Sequence, residues 1–366
     1  MHLLREAARN LEGLDALIER VAGLQVLQGV VVDLNPIWQA AYTLDQAGLD
    51  PRLMVGLFPG PGANVLAMID ALVGIPPTGG VIDLGWWNPI VELLTRTVFG
   101  RDSVLPTPLV VKVIALPATN SQLQEERRTL VQAVSSVPFP ALVETRPVAT
   151  LAVAGGDRCV MASGSRGTVG GFVRDRLTNR TYAATCGHVI TSGAVDIGGG
   201  IVGLCSHARS PTPLASGQRC DKNSTAINRL DLALIDVTGT AVANVAAKIA
   251  LTVPSNEPVT MVGAETHFHH YEVGGASMLH KIDGICFDNV FEVRPPAPAG
   301  IFSPRLRAMT AVVPKQGDSG AWVVGVNASD LCGILVAVDH LMGYALEADT
   351  VIAAANSAFS MDLVLA

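Results

Sequence analysis

The chain lacks any apolar run near the roughly 20 residues that a bilayer-crossing helix requires, although 49% of its residues are hydrophobic. No membrane association is expected, so the hydrophobic residues must fill folded cores. With 366 residues there is room for two or three domains, each with its own core. An excess of basic residues is also missing. The net charge of −7 excludes nucleic acid as the main partner, because phosphate binding needs a basic surface. The six cysteines (Cys159, Cys186, Cys205, Cys220, Cys286 and Cys332) form no CxxC pair and no ordered zinc spacing. Nor is there an uncharged signal-peptide core near the start, where Arg5, Glu6, Arg9, Glu12, Asp15, Glu19 and Arg20 crowd together. These absences place the expected protein in the cytoplasm with its six thiols reduced. Cys205 and Cys220 would close a surface loop in an oxidising compartment. No cofactor and no metal are expected.

What the chain has is Lys315–Val324, KQGDSGAWVV, a turn of small residues running into an apolar strand. A nucleophilic serine needs this setting, with its hydroxyl clear of the backbone and N–H groups aimed where an oxyanion forms. Gly317 is free to adopt angles that let its own N–H and that of Ser319 converge. The tetrapeptide also occurs as a plain turn, so two further stretches matter. Thr185-Cys-Gly-His188 puts a histidine at the end of an apolar strand, and Leu230-Asp231-Leu-Ala-Leu-Ile puts an aspartate at the start of another. His188, Asp231 and Ser319 follow in the order of a His-Asp-Ser triad.

From about residue 150 onward the chain resembles the chymotrypsin-fold (trypsin-like) serine peptidases. Tyr182–His188 is similar to that family's histidine strand, Asp231–Ile235 to its aspartate strand and Gln316–Gly320 to its nucleophile turn. Gly333–Val338 resembles the strand that holds the substrate backbone. Gly167–Val173, Met261–Gly263 and Asp283–Phe287 are similar to intracellular members of bacteria and of plants, the narrow-leaf type. Cys186 precedes the histidine, where secreted relatives place a disulfide cysteine just after it. The resemblance implies two β-barrels with the site in the cleft between them. It makes Val313 the floor of the pocket for the side chain before the cut, with walls from Val336, Ala337, Val338 and the segment near Gly343. Such a pocket would be apolar and shallow, favouring Ala, Val or Leu, with Lys315 and Gln316 at its rim.

The rest of the chain is read from its own pattern. Residues 151–366 alternate short apolar strands with turn clusters such as Gly198-Gly-Gly200 and Ser210-Pro-Thr-Pro213, which argues for an all-β double barrel. Residues 1–105 read as a mainly helical region. Leu4, Ala7, Leu11, Leu14, Ile18 and Val21 form one stripe, and further helices are expected from Asn35, Asn64 and Trp86, with Trp86 and Trp87 in a core. Residues 106–150 read as a small α/β connector: a strand at Leu109–Leu116, a helix capped by Asn120 and a second strand from Ala141. A spacer is the plain reading of that connector, and an inhibitory or chaperone-like pro-region is the sharper one.

Several tempting features are declined or ranked. Arg166-Gly-Thr-Val-Gly-Gly171 looks like a zymogen cleavage site, but too few residues separate Thr168 from His188 to hold the strands that precede the histidine in zymogens. The segment is read instead as a strand hairpinned through Asp175–Asn179 into the histidine strand. Asp318 must then find another partner, which the sequence does not name. Asp236 rivals Asp231, but the two point to opposite faces of one strand. His267, His269 and His270, near Glu265 and Glu272, make an incomplete metal shell and are read as solvent-facing loop residues. Asp339 and His340 are read as rim residues.

The function expected from the resemblance is a serine endopeptidase acting on protein or peptide substrates. The helical region would bring it to a protein partner. The alternative is a non-catalytic scaffold on the same fold.

Overall fold

The computed structural model describes residues 2–34, 109–296 and 312–366, apart from 138, 140, 147, 152–158, 162–165, 199, 217, 221–226 and 252. The helices expected from Asn35, Asn64 and Trp86 lie outside the described residues. Two compact units result, Leu4–Pro147 and Val148–Pro296 with Val312–Ala366.

The first unit begins in two helices, α1 (His2–Arg9) and α2 (Leu14–Val21). The single apolar stripe is split between them because Gly13 takes a φ of 87°, which no helix interior accommodates. β1 (Leu27–Leu34) is a strand inside the span expected to be helical. Its reason is local: Val30, Val31 and Val32 are β-branched and fully buried, and such side chains are stiff and favour a pleated surface. β1 pairs antiparallel with β2 (Leu109–Ala115), which pairs parallel with β3 (Ala141–Thr145). One sheet therefore joins residues on both sides of position 105.

The crossover that a parallel pair requires is α3 (Ser121–Ser135). Asn120 caps it, accepting the Leu123 N–H at 2.9 Å. Buried ion pairs in this unit include Lys112 with Asp33 at 2.7 Å and Arg146 with Glu144 at 2.7 Å. Each charge has a partner, without which burial would cost far more.

Among the described residues the second unit is all β apart from one helix. It opens with β4 (Thr150–Leu151), β5 (Cys159–Met161) and β6 (Arg166–Gly167). β7 (Gly171–Asp175) turns into β8 (Thr181–Thr185) as a hairpin. The Asp175 carboxylate organises that turn, accepting from the Leu177 N–H, the Thr178 N–H and the Thr178 hydroxyl. The Thr178 bond is the main reason its pKa lies below the ordinary carboxylate value. β9 (Gly193–Asp196), β10 (Val202–Arg209), β11 (Ile227–Asn228), β12 (Leu232–Asp236) and β13 (Lys248–Ile249) follow.

Next come β14 (Pro258–Gly263), the long β15 (His267–Ile282), β16 (Ile285–Phe287) and β17 (Val290–Arg294). The chain ends with β18 (Trp322–Gly325), β19 (Asp330–Val338), β20 (Gly343–Glu347), α4 (Ala348–Phe359) and β21 (Leu363–Leu365).

These strands make the expected double-barrel plan. One sheet runs β21-β7-β8-β12-β10-β9-β5-β6. The other runs β14-β18-β19-β20-β17-β15, and β15 pairs back onto β14 to close a six-stranded barrel. Tyr182 and Leu234 from the first sheet share a core with Trp322, Ile334 and Tyr344 from the second. Among the described residues no helix is long and apolar enough to cross a membrane.

The expectation for the cysteines is corrected. Cys220 and Cys286 form a disulfide instead of standing as free thiols. Cys286 lies on β16, and its Cα is 5.4 Å from that of Cys220, within bridging range. The alternative bridge between Cys205 and Cys220 is not formed, and Cys186, Cys205 and Cys332 are free. Because the bridged residues are 66 apart in sequence, replacing Cys220 with serine should cost about 2–4 kcal/mol of stability in denaturant unfolding. Ready alkylation of Cys286 in the unreduced native protein would show that the bridge does not form.

Candidate active site

Three strand ends converge in the second unit. His188 follows β8, Asp231 immediately precedes β12, and Ser319 lies just before β18. β8 and β12 are direct neighbours, with Thr185 opposite Ala233, so His188 and Asp231 leave adjacent strands side by side. The Asp231 carboxylate is fully buried and doubly engaged: it accepts the His188 backbone N–H at 2.9 Å and meets the ring Nδ1 at 2.5 Å. A carboxylate at that distance requires the ring proton on Nδ1. Nε2 is then left as an acceptor, and it lies 3.1 Å from Ser319 Oγ. Ser319 Oγ is also 3.2 Å from the Val336 carbonyl. The hydroxyl has one proton, so Nε2 and that carbonyl compete for it.

Asp236, the rival aspartate, faces elsewhere. It pairs with Arg180 at 3.2 Å and accepts the Thr238 N–H at 2.9 Å. Desolvation raises its pKa, but the Thr238 hydrogen bonds and the Arg180 charge outweigh it and leave the pKa lowered.

The turn carrying Ser319 is held from several sides. Gly317 has a φ of 101° and Gly320 a φ of 94°. A side chain at Gly320 would also meet the Thr168 carbonyl at 2.3 Å, so this position accepts glycine alone. Asp318 is fully buried, and its carboxylate accepts four hydrogen bonds. They come from the N–H groups of Glu265 (2.9 Å), Thr266 (3.2 Å) and Lys315 (2.8 Å) and from the Thr266 hydroxyl (2.8 Å). The partner that the sequence left unnamed is therefore the turn between β14 and β15.

Thr168 ties the same turn from the other side. Its hydroxyl donates to the Gly317 carbonyl and accepts the Ala264 N–H, both at 2.9 Å, and its N–H donates to the Ser319 carbonyl at 2.8 Å. Thr168 lies mid-chain, and its hydroxyl makes the link to the nucleophile turn. Among the described residues, the N–H groups of Gly317 and Ser319 donate to no backbone carbonyl.

Cys186, read from the sequence only as a reduced thiol, lies beside the site. Its ligating atom lies within 4.8 Å of those of His188 and Asp231. Burial first, and the Asp231 charge second, push its thiol pKa well above the ordinary value. It donates to the Leu335 carbonyl at 3.3 Å. A protonated, buried thiol beside a carboxylate already bonded to histidine is a poor metal ligand. His267, His269 and His270 lie on β15 instead of in a loop, paired with Gly263, Met261 and Thr260.

The expected substrate strand is the end of β19. Val336 and Ala337 are fully buried and Val338 is 5% exposed. Gly343 pairs with Val338, and a Cβ there would meet Leu335 at 2.6 Å and Pro314 at 3.0 Å. Half-buried Val313 precedes that proline, and Lys315 and Gln316 are exposed. Asp339 is no rim residue. It accepts from the N–H groups of Leu341 and Met342 and from the Tyr344 hydroxyl at 2.6 Å, closing the β19–β20 turn.

No protein-family model matches the chain, and a search of curated proteins finds no match. Solved structures similar to it include the Nocardiopsis protease NAPase, 14% identical with a TM-score of 0.36, covering 60% of this chain and 98% of that one. Thermobifida fusca Protease A is 15% identical with a TM-score of 0.37, covering 58% and 98%. A glutamic acid specific serine protease is 15% identical with a TM-score of 0.40, covering 58% and 99%.

The hydrogen bonds to Asp318 and Thr168 carry a testable consequence. Thr168→Val removes a donor and an acceptor from a buried site and should lower unfolding free energy by about 1–3 kcal/mol. Thr238→Val, at an exposed turn, should change it by less than about 0.5 kcal/mol. Equal losses in denaturant titrations would show that Thr168 is no special anchor.

Proposed function

We propose that the protein is a serine endopeptidase. The observation that carries this reading is the continuous line from the Asp231 carboxylate through the His188 ring to Ser319 Oγ, at 2.5 and 3.1 Å. His188 Nε2 takes the hydroxyl proton as Oγ attacks the carbonyl carbon of a peptide bond. Asp231 holds the ring in the required tautomer and steadies the imidazolium that forms. The N–H groups of Gly317 and Ser319 receive the oxyanion, and the left-handed backbone at Gly317 supports that role. The imidazolium then protonates the leaving amine as the C–N bond breaks, leaving an acyl group on Oγ. Water attacks the ester by the same path, returning acid product and free serine.

Finer features belong to the same proposal. Val336–Val338 would bind the substrate backbone as an added strand. The side chain before the cut would enter a space bounded by Val313, Val338 and Gly343. Pro314 packed near Gly343 supports a shallow, apolar pocket. An arginine there would lose hydration without a countercharge, at several kcal/mol. Residues 1–105 would recruit a protein partner. Membership of the intracellular bacterial and plant group rests on sequence resemblance, and a cytoplasmic home is opposed by the Cys220–Cys286 bridge, since such bonds persist where thiols are not kept reduced. A second reading, a non-catalytic scaffold on this fold, draws on one observation: Ser319 is fully buried.

Two measurements test the proposal. Ser319→Ala, His188→Ala and Asp231→Ala should each lower peptide hydrolysis by roughly three or more powers of ten, non-additively, while Asp236→Ala stays within about tenfold of wild type. An essential Asp236 with a dispensable Asp231 would refute the assignment. Cleavage profiling on a denatured proteome should show cuts after Ala, Val or Leu, and predominant cutting after Arg, Lys or Glu would remove Val313 from the pocket.

A further inference from the structure

We infer that β4, Thr150–Leu151, is a built-in strap on the substrate edge, holding the backbone positions that a peptide must take and leaving before one binds. This rests on the peptidase reading above.

A strand has two edges. Along one, β19 pairs with β20 from Gly333 to Val338. Along the other, β18 accompanies it only from Leu331 to Ile334, with backbone bonds from Gly320 and Ala321 extending the contact to Leu335. Past Leu335, among the described residues, no other barrel strand pairs with this second edge. β4 lies there antiparallel, with Leu151 opposite Ala337 and Thr150 opposite Val338.

The polarity is informative. Going from Thr150 to Leu151, β4 advances along β19 from Val338 to Ala337, towards Val336, whose carbonyl touches Ser319 Oγ at 3.2 Å. A substrate bound through its residues before the cut must run in the same direction, because its reacting carbonyl has to arrive at Oγ. The strap therefore imitates the acyl side of a substrate, backbone for backbone.

Occlusion of the site fits this arrangement. Ser319 is fully buried and the His188 side chain only 6% exposed. A polypeptide cannot reach a nucleophile so enclosed without something moving aside. The edge that a substrate would join is also the one that a short segment of the chain itself occupies. A two-residue ladder is weak, yet a tethered strand acts at an effective concentration of about millimolar. It would thus hold off dilute or poorly matched peptides and yield to those that bind well. Strap and substrate exclude each other, so the strap raises KM and leaves kcat alone.

The test uses the full chain carrying Thr150→Pro together with Leu151→Pro, which removes both N–H groups β4 could offer to β19. With a fluorogenic peptide bearing Ala before the cut, KM should fall about tenfold, with kcat within about twofold of wild type. An unchanged KM, in a variant whose Ser319 takes a fluorophosphonate label as fast as wild type, overturns the strap and leaves the peptidase reading intact. No label and no turnover in either protein removes both. A second measurement guards against misfolding of the proline variant. In otherwise unaltered Ser319→Ala protein, saturating peptide should speed amide exchange at Thr150 and Leu151 at least about tenfold. Unaltered exchange with peptide bound overturns the strap.

Discussion

The Asp318 carboxylate is the interaction on which the rest of this structure depends. Among the described residues it is buried with no cation beside it, which would be costly were it not solvated by protein donors. Four hydrogen bonds from Glu265, Thr266 and Lys315 supply that solvation. They fix the turn next to β18, and with it the backbone of Gly317 and the side chain of Ser319. Thr168 closes the opposite side through its hydroxyl and its N–H. Neighbouring segments thus hold the Ser319 turn in place.

The remaining two members of the site are set by sheet register. The pairing of β8 with β12 places His188 and Asp231 at the same end of adjacent strands. A one-residue slip there would turn their strand residues to the opposite face. Full burial of Asp231 then concentrates its charge on the one imidazole it touches. In the proposed reaction this pair provides the base, the nucleophile turn provides the oxyanion donors, and the end of β19 provides the docking edge. In that proposal chemistry and substrate binding would share β19, whose Val336 carbonyl touches the Ser319 hydroxyl and whose next two residues carry β4.

Much of this was legible in the residues. The order of His188, Asp231 and Ser319 anticipated their meeting, the alternation of short apolar strands with Gly and Pro turn clusters anticipated the barrels, and Asn120 marked its helix. The Asp175–Asn179 hairpin also followed from local turn chemistry. What escaped was non-local. Nothing near Thr266 or Thr168 announces that each reaches across the fold to the serine turn. Cys220 and Cys286 meet across 66 residues of sequence, a contact that spacing alone does not encode. β1 was hidden because a short β-branched run inside a helical pattern has no clear period of its own. β4 was hidden because two residues make a strand only when an open edge is waiting for them.

The central claim is that Ser319 is an activated nucleophile, and one covalent experiment addresses it most directly. Intact protein is treated with a fluorophosphonate, digested and mapped by mass spectrometry. The account predicts a single phosphonylated residue, Ser319, with labelling lost in His188→Ala, which removes the proton acceptor 3.1 Å from Oγ. Folded protein that stays unlabelled, or labelling that survives loss of His188, would contradict it.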